Sequence, residues 1–295
     1  MSDRAERRAF GSALRIALAA CAWGTWSLFF RPIEARYGTS PALETFVIFS
    51  MILVVGAPLA LRDRPRKRRA LSLWCLLGAQ GVFDALNALL FFAAMQKTTL
   101  AVAVLTHYLA PVLVALAAPF VVSERIQPRT WAVLGLALSG LGVLLEPWRG
   151  VGGGVWWGAL LGAGSTVFFT GSLLLAKRLG SAFAPTEIMA WHMPTALLTL
   201  LFFLPTAVLS TPLPAFAPLI LAGLGPGALA GIVFIRALPF VDASKASILM
   251  LLEPVVAVCV GIAAFHEVPR PAGLAGGAMV LSAAYLVLAR ARRAA

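Results

Sequence analysis

Long apolar runs, separated by short charged or proline- and glycine-rich breaks, constrain this chain more than any other feature of its sequence. A helix that crosses the hydrocarbon core of a membrane needs about 20 predominantly apolar residues. The runs predict ten such helices, near residues 12–31, 42–61, 71–94, 99–122, 129–146, 155–176, 187–208, 216–236, 244–265 and 271–289. The predicted fold class is therefore an all-α integral membrane protein with ten transmembrane helices and no room for a soluble domain.

The composition agrees with a membrane protein and excludes an ordinary soluble domain. The chain is 60% apolar and only 12% charged, whereas soluble domains are about 45–50% apolar and about 25% charged. Its formal net charge of +12 would suggest nucleic-acid binding in a soluble protein. In a chain of apolar spans, the meaning of that charge depends on where the basic residues lie.

Basic residues are concentrated in alternate breaks between the predicted spans. If every span crosses the membrane, all but five of the 24 Lys and Arg residues lie on the side that holds both chain ends. The five exceptions are Arg31, Arg36, Lys97, Arg149 and Arg270. The positive-inside rule then predicts a multi-pass plasma membrane protein, in bacteria an inner membrane protein, with both termini in the cytoplasm. Topology thus accounts for the charge, and no nucleic-acid partner is expected.

The two halves of the chain share landmarks at one constant offset in the sequence. These uncommon residues correspond in pairs: Pro111 with Pro254, Glu124 with Glu267, Pro128 with Pro271, and Glu44 with Glu187. They predict a five-helix repeat at 12–146, a glycine-rich linker at 147–154 and a second five-helix repeat at 155–290. Because five is odd, the second repeat enters the membrane from the opposite side, so the repeats are inverted. Inverted repeats are a common plan of secondary transporters, whose binding site lies near the membrane centre between the halves.

These landmarks resemble those of the EamA-type ten-helix transporters of the drug/metabolite transporter superfamily. The resemblance covers about residues 12–290 and is carried by Trp23-Gly24, by Pro111 and Pro254, and by Glu124 and Glu267 at span ends. It implies a membrane permease that exports amino acids or related small metabolites by alternating access, and not an enzyme.

A polar stripe is predicted on the third span. Gln80, Asp84 and Asn87 have the spacing i, i+4, i+7, which places them on one helix face. An ionised carboxylate at membrane depth costs about 2.5–3.5 kcal/mol, so Asp84 must face protein or water. The stripe is predicted to form a cavity wall that binds polar groups of the solute; the alternative is a hydrogen-bonded cluster between helices.

The centres of the fourth and ninth spans combine a proline with an ionisable residue. Proline lacks a backbone N–H and kinks a helix, so Pro111 leaves the carbonyl of His107, and Pro254 that of Met250, without its usual partner. Irregular backbone at membrane depth is tolerated beside protein or a wet cavity. His107 and Glu253 are therefore candidates for binding the solute or a proton, although His107 could instead be a hydrogen-bonded core histidine.

The first and sixth spans are rich in aromatic residues and correspond by the repeat. Trp23 is predicted to line the cavity, with Ser165 and Phe169 opposite; simple packing is the alternative. Glu124 and Glu267 precede Pro128 and Pro271, so each is predicted to cap the helix that follows, with a gate role as the alternative.

These features predict a protein that is embedded in the lipid bilayer and binds a small organic solute, with protons as a candidate coupling ion. No metal site is expected because the three histidines lack ligand spacing, no cofactor is indicated, and the oligomeric state is not predicted. One alternative is a carrier of phosphorylated or nucleotide-linked sugars, for which only Arg236 and Lys245 could pair as fixed cations. Another is a lipid-modifying membrane enzyme, against which the chain lacks HExxH, paired-carboxylate and phosphate-cradle motifs.

Overall fold

The computed structural model describes residues 3–63, 69–149, 155–204, 209–268 and 270–293. Within these ranges the chain forms fifteen α-helices and no β-strand, which confirms the predicted all-α class. The helices are α1 (Asp3–Trp23), α2 (Ser27–Tyr37), α3 (Pro41–Arg62), α4 (Leu71–Lys97), α5 (Leu100–His107), α6 (Ala110–Val121), α7 (Pro128–Leu145), α8 (Val155–Leu179), α9 (Pro185–Trp191), α10 (Met193–Leu201), α11 (Phe216–Ala222), α12 (Ala230–Ala237), α13 (Ala243–Met250), α14 (Leu252–Phe265) and α15 (Pro271–Arg293). A π-helical segment (Gly223–Leu229) joins α11 to α12.

Nine helical segments among the described residues are long and apolar enough to cross a membrane. They are Arg7–Tyr37, Pro41–Arg62, Leu71–Lys97, Leu100–Val121, Pro128–Leu145, Val155–Leu179, Leu213–Phe240, Ala243–Phe265 and Pro271–Arg290. The predicted span near 187–208 is represented by α9 and α10, which end at Leu201, and residues 205–208 lie outside the described residues. Most of the predicted linker, at 150–154, also lies outside them.

Several of these segments are interrupted near their middle. One is broken at Tyr108 and Leu109, between α5 and α6, and another at Leu251, between α13 and α14. Each break lies three residues or fewer before a proline, Pro111 or Pro254, whose missing N–H removes a helical hydrogen bond. The sequence therefore divides both spans into two half-helices.

Small residues allow the helices to approach closely. The helix α8 packs along α4, and α7 packs along α15. At the α7–α15 contact, a Cβ atom on Gly140 would lie 2.7 Å from the Cβ of Met279, and one on Gly276 would lie 2.5 Å from the Gly140 carbonyl oxygen. Lipid supplies no hydrophobic drive for helix association, so such close packing holds the bundle together.

Polar contacts at the span ends define two faces of the bundle. On the face where α1 begins and α15 ends, here the termini face, Arg69 forms a bidentate pair with Glu187, at 2.8 and 2.6 Å. On the other side, here the opposite face, Arg270 lies 3.0 Å from Glu146.

Candidate functional site

The two broken spans cross near their breaks, and only one pair of their described half-helices packs together. The helices α6 and α13 are in contact on the termini face, whereas α5 and α14 do not pack against each other in this way on the opposite face. At the crossing, the side chains of Tyr108 and Glu253 lie near each other. Tyr108 is buried and Glu253 is partly exposed. The crossing therefore presents a carboxylate at mid-span, where two half-helices diverge.

His107 lies beside the crossing in a cluster with two of the residues predicted from the sequence. Its Nδ1 atom is 2.9 Å from Ser165 Oγ, and the Ser165 hydroxyl donates to the Gly162 carbonyl oxygen at 2.6 Å. Since Ser165 has a single proton, Nδ1 must donate, which leaves Nε2 as the acceptor. The ring packs against Phe169, with centroids 5.5 Å apart, and against Phe91, at 4.5 Å. The structure thus brings His107, Ser165 and Phe169 together.

Thr166 supports the same break and was not predicted from the sequence. Its hydroxyl lies 2.7 Å from the carbonyl oxygen of Thr106 and 2.8 Å from that of His107. The carbonyl of His107 is the one that Pro111 deprives of its helical partner. A side chain of α8 therefore supplies the donor that the backbone lacks.

The polar stripe of α4 faces protein, and one of its members is paired. Asp84 Oδ2 lies 2.9 Å from His192 Nε2, and His192 Nδ1 lies 2.5 Å from the Ile188 carbonyl oxygen, to which it donates. The carboxylate keeps 23% exposure, whereas the imidazole keeps 7%. The side-chain oxygens of Gln80 and Asn87 are buried without a partner in the described part of the chain. His192 occupies the interruption between α9 and α10, which places a proton-sharing pair at mid-span.

Trp23 connects α1 to the π-helical segment. Its indole Nε1 donates to the Pro226 carbonyl oxygen at 2.9 Å, and its ring lies 5.1 Å from that of Phe234. Next to it, a Cβ atom on Gly24 would lie 2.6 Å from the Glu253 carbonyl oxygen, so only glycine allows this approach. None of these contacts joins Trp23 to Ser165 or Phe169.

The two span-end glutamates bind groups other than the helices that follow them. Glu124 Oε2 accepts a hydrogen bond of 2.6 Å from the backbone N–H of Ala243, at the first turn of α13. The N-cap residue of α7, Gln127, makes no side-chain cap. Glu267 lies 2.5 Å from Arg31. Because α6 packs against α13, Glu124 binds the N-terminus of α13, and the prediction that it caps the next helix is corrected accordingly.

Four residues at these sites were missed or given little weight by the sequence analysis: Tyr108, Thr166, Lys177 and His192. A partial signal exists for Tyr108 and His192, since each stands beside a break that a proline predicts. Lys177, near the end of α8, pairs with the carboxylate of Glu124. Thr166 and Lys177 have no local signal, because their partners lie on other spans.

Comparison with known proteins gives matches across nearly the whole chain. Residues 11–145 and 156–289 each match the EamA-like transporter family. The chain is 31% identical over 268 residues to an uncharacterized transporter of Archaeoglobus fulgidus, covering 90% of this chain and 92% of that protein. It is 27% identical over 194 residues to an uncharacterized transporter of Pseudomonas aeruginosa, covering 61% and 60%. A crystal structure at 22% identity shares the fold, with a TM-score of 0.77 over 94% of this chain and 97% of the other.

Proposed function

This chain belongs to the EamA-like transporter family, and from that premise we propose that it is a secondary carrier which moves a small organic solute by alternating access. The observation that carries the proposal is the crossing of the two broken spans, where α6 packs against α13 on the termini face and the described α5 and α14 lack such packing on the opposite face. A carrier must close one face while the other is open, and two half-helix pairs that meet at one crossing provide that arrangement.

The proposal includes ten spans arranged as two inverted repeats, at 12–146 and 155–290. In its support, the breaks at Tyr108 and Leu251 have the same separation in the sequence as Pro111 and Pro254. The same offset relates α1 to α8, and it relates α4 to the segment that contains α12. Helix packing agrees with this correspondence, because α8 packs along α4 and α1 packs along α12. We place both termini in the cytoplasm and the protein in the plasma membrane, on the distribution of basic residues.

We further propose that Asp84 and Glu253 form the polar part of the binding site. Both carboxylates lie mid-span and are partly exposed, although a charge in hydrocarbon costs about 2.5–3.5 kcal/mol. Among the described residues, no Lys or Arg pairs with either of them. Two carboxylates without a fixed cation suit a protonated amine or a proton, and the aromatic cluster at His107 suits an apolar side chain. Amino acids and related amines are therefore the proposed solutes.

A phosphorylated or nucleotide-linked sugar fits this site less well. Such a solute needs fixed cations to bind its phosphate groups. Arg236 is exposed at the end of α12, and Lys245 is engaged with Asp242 at 2.6 Å. Neither lies at the crossing, so the sugar-phosphate alternative lacks a cation at the proposed site.

Counterflow in liposomes tests the proposal. Purified protein is reconstituted with unlabelled amino acid inside, and uptake of a labelled amino acid is followed for a panel that includes aromatic and basic members. Saturable, transient accumulation is expected for at least one member, and it should be absent from protein-free liposomes. A preparation that takes up no panel member by exchange, while remaining monodisperse, would contradict an amino-acid carrier.

A further inference from the structure

We propose that Glu124 and Lys177 form a gate, which closes the termini face by binding the N-terminus of α13. In the alternate state, Glu267 and Arg31 close the opposite face in the same way, by binding the N-terminus of α5. The inference rests on the proposed alternating access and adds the residues that hold each state shut. It concerns contacts away from the solute site, at the two ends of the crossing spans.

The closed gate joins three separate spans through one carboxylate. Glu124 follows α6 and accepts the N–H of Ala243, at the start of α13, at 2.6 Å. Lys177, near the end of α8, pairs with the same carboxylate and also donates to the Val241 carbonyl oxygen. Ser123, directly before Glu124, has a φ of 57°, which turns the chain towards α13. These contacts are made where α6 and α13 pack together.

Two electrostatic interactions stabilise the contact of Glu124 with Lys177 and with the N-terminus of α13. The side chains of Lys177 and Glu124 keep only 11% and 15% exposure, so solvent weakens their attraction less than at the surface. The free N–H groups at a helix N-terminus carry partial positive charge, which adds to the attraction for a carboxylate. If α13 moves away from α6, Glu124 loses the N–H of Ala243 and Lys177 loses the carbonyl of Val241, so breaking this one cluster opens the face.

The opposite face carries the corresponding residues, but there, within the described part of the chain, the glutamate does not contact a helix N-terminus. The offset that relates Pro111 to Pro254 also relates Glu124 to Glu267, and it relates Leu100, the first residue of α5, to Ala243. Glu267 contacts Arg31 at 2.5 Å, with side-chain exposures of 50% and 42%, and in the described helices α5 does not pack along α14. Glu267 and Arg31 are therefore paired with each other, but Glu267 does not bind the N-terminus of α5 in this state.

Closure of the opposite face would reproduce the contact seen on the termini face. In that state Glu267 accepts the N–H of Leu100, as Glu124 accepts that of Ala243, while Arg31 takes the place of Lys177. The N-cap residue Thr99 binds the Val102 N–H at 3.3 Å, so the first N–H of α5 is left for Glu267. Alternating access opens one face at a time, so the two carboxylates are not both seated when the solute enters or leaves.

Chemical labelling without any solute tests the gate. Cys21, Cys75 and Cys259 are replaced by alanine, and Ala246, which is fully buried on α13, is changed to cysteine as the reporter. A membrane-impermeant maleimide is applied to the termini face of vesicles of known orientation. Glu124→Gln and, independently, Lys177→Met should raise the labelling rate about fivefold or more, as expected when a coupling of ordinary size is removed.

Two further variants distinguish a gate from general loosening. Glu187→Gln removes a carboxylate of the same face that pairs with Arg69 and does not touch the crossing, so it should leave the labelling rate unchanged. Adding Glu267→Gln to Glu124→Gln should return the rate towards the parent value, because the opposite face can no longer close. Unchanged labelling in both Glu124→Gln and Lys177→Met, equal labelling in Glu187→Gln, or no reversal by Glu267→Gln would overturn the proposal. Counterflow is measured separately, so failure of the gate and failure of the carrier are told apart.

Discussion

The hydroxyl of Thr166 lies 2.8 Å from the carbonyl oxygen of His107, on a different span. Pro111 cannot donate to that carbonyl, and a buried carbonyl without a donor costs about 1–3 kcal/mol. Thr166, at 1% exposure, is placed to remove this cost. The break in the fourth span is thus stabilised from α8, which lets the chain keep a half-helix joint at membrane depth without leaving an unsatisfied group.

The first prediction concerns this joint. Thr166→Val keeps the shape of the side chain but removes its hydroxyl, so the carbonyls of Thr106 and His107 lose the one proton that they share. The expected result is a loss of about 1–3 kcal/mol in the free energy of unfolding, measured by denaturant titration in mild detergent. Thr166→Ser, which keeps the hydroxyl, should stay close to the parent protein. Equal stability of the Val and Ser variants would show that the hydroxyl does not support the joint.

A second prediction follows from the approach of α4 to α10. A Cβ atom on Gly81 would collide with the His192 carbonyl oxygen and the Thr195 hydroxyl, and would lie 2.9 Å from the Ala196 nitrogen. Gly81→Ala should therefore separate the helices and lower the free energy of unfolding by about 1–3 kcal/mol. Gly142→Ala is the matched control, because a Cβ there meets nothing within 4 Å. Thermal unfolding in detergent distinguishes them, and similar behaviour of the two variants would contradict the close approach.

The third prediction concerns the pair formed by Asp84 and His192. Their atoms are 2.9 Å apart at mid-span, so the two side chains should stabilise each other. A double-mutant cycle with Asp84→Asn and His192→Gln is expected to give a coupling of about 0.5–3 kcal/mol in the free energy of unfolding. The more exposed pair of Asp242 and Lys245 should give about 0.2–1 kcal/mol. Additive effects at Asp84 and His192 would show that the pair contributes nothing to stability.

Much of the fold could be predicted because a membrane restricts the possible structures so strongly. Runs of about 20 apolar residues predict helices, and most of the predicted bounds agree with the structure, as for 42–61 against Pro41–Arg62. The breaks at Pro111 and Pro254 were expected from the prolines, but the one in the seventh predicted span was not. His192 and Pro194 divide the seventh predicted span into short helices, and hydropathy alone does not respond to such breaks.

Less of the candidate site could be predicted, because its contacts join distant spans. The spacing of Gln80, Asp84 and Asn87 indicates one helix face, but nothing local indicates that His192 is the partner of Asp84. Likewise, Glu124 was expected to cap the next helix in sequence, whereas it binds the start of α13, 119 residues away. Which helix N-terminus lies nearest is decided by packing between the halves, which the linear pattern does not contain.

The last prediction concerns proton coupling at Glu253. Glutamine retains the size and hydrogen-bonding capacity of the side chain but cannot bind and release a proton. If Glu253 carries the coupling proton, Glu253→Gln should abolish accumulation of the solute under an imposed pH gradient, while solute counterflow without a gradient remains measurable at a higher solute concentration, because Asp84 and the glutamine amide still bind the amine. Both quantities are measured in the same liposomes, with the labelled amino acid that the parent protein exchanges. Persistence of counterflow shows that the variant is folded, so the loss is assigned to the proton and not to the solute.

Tyr108→Phe is the matched control for this variant. It removes the hydroxyl of Tyr108, whose side chain lies near Glu253, but leaves the carboxylate able to titrate, so accumulation driven by the pH gradient should persist. If Glu253→Gln accumulates solute as the parent protein does, Glu253 is not the coupling site. The pair of Asp84 and His192 then becomes the remaining mid-span group that can share a proton, and Asp84→Asn should abolish the pH-driven accumulation in its place.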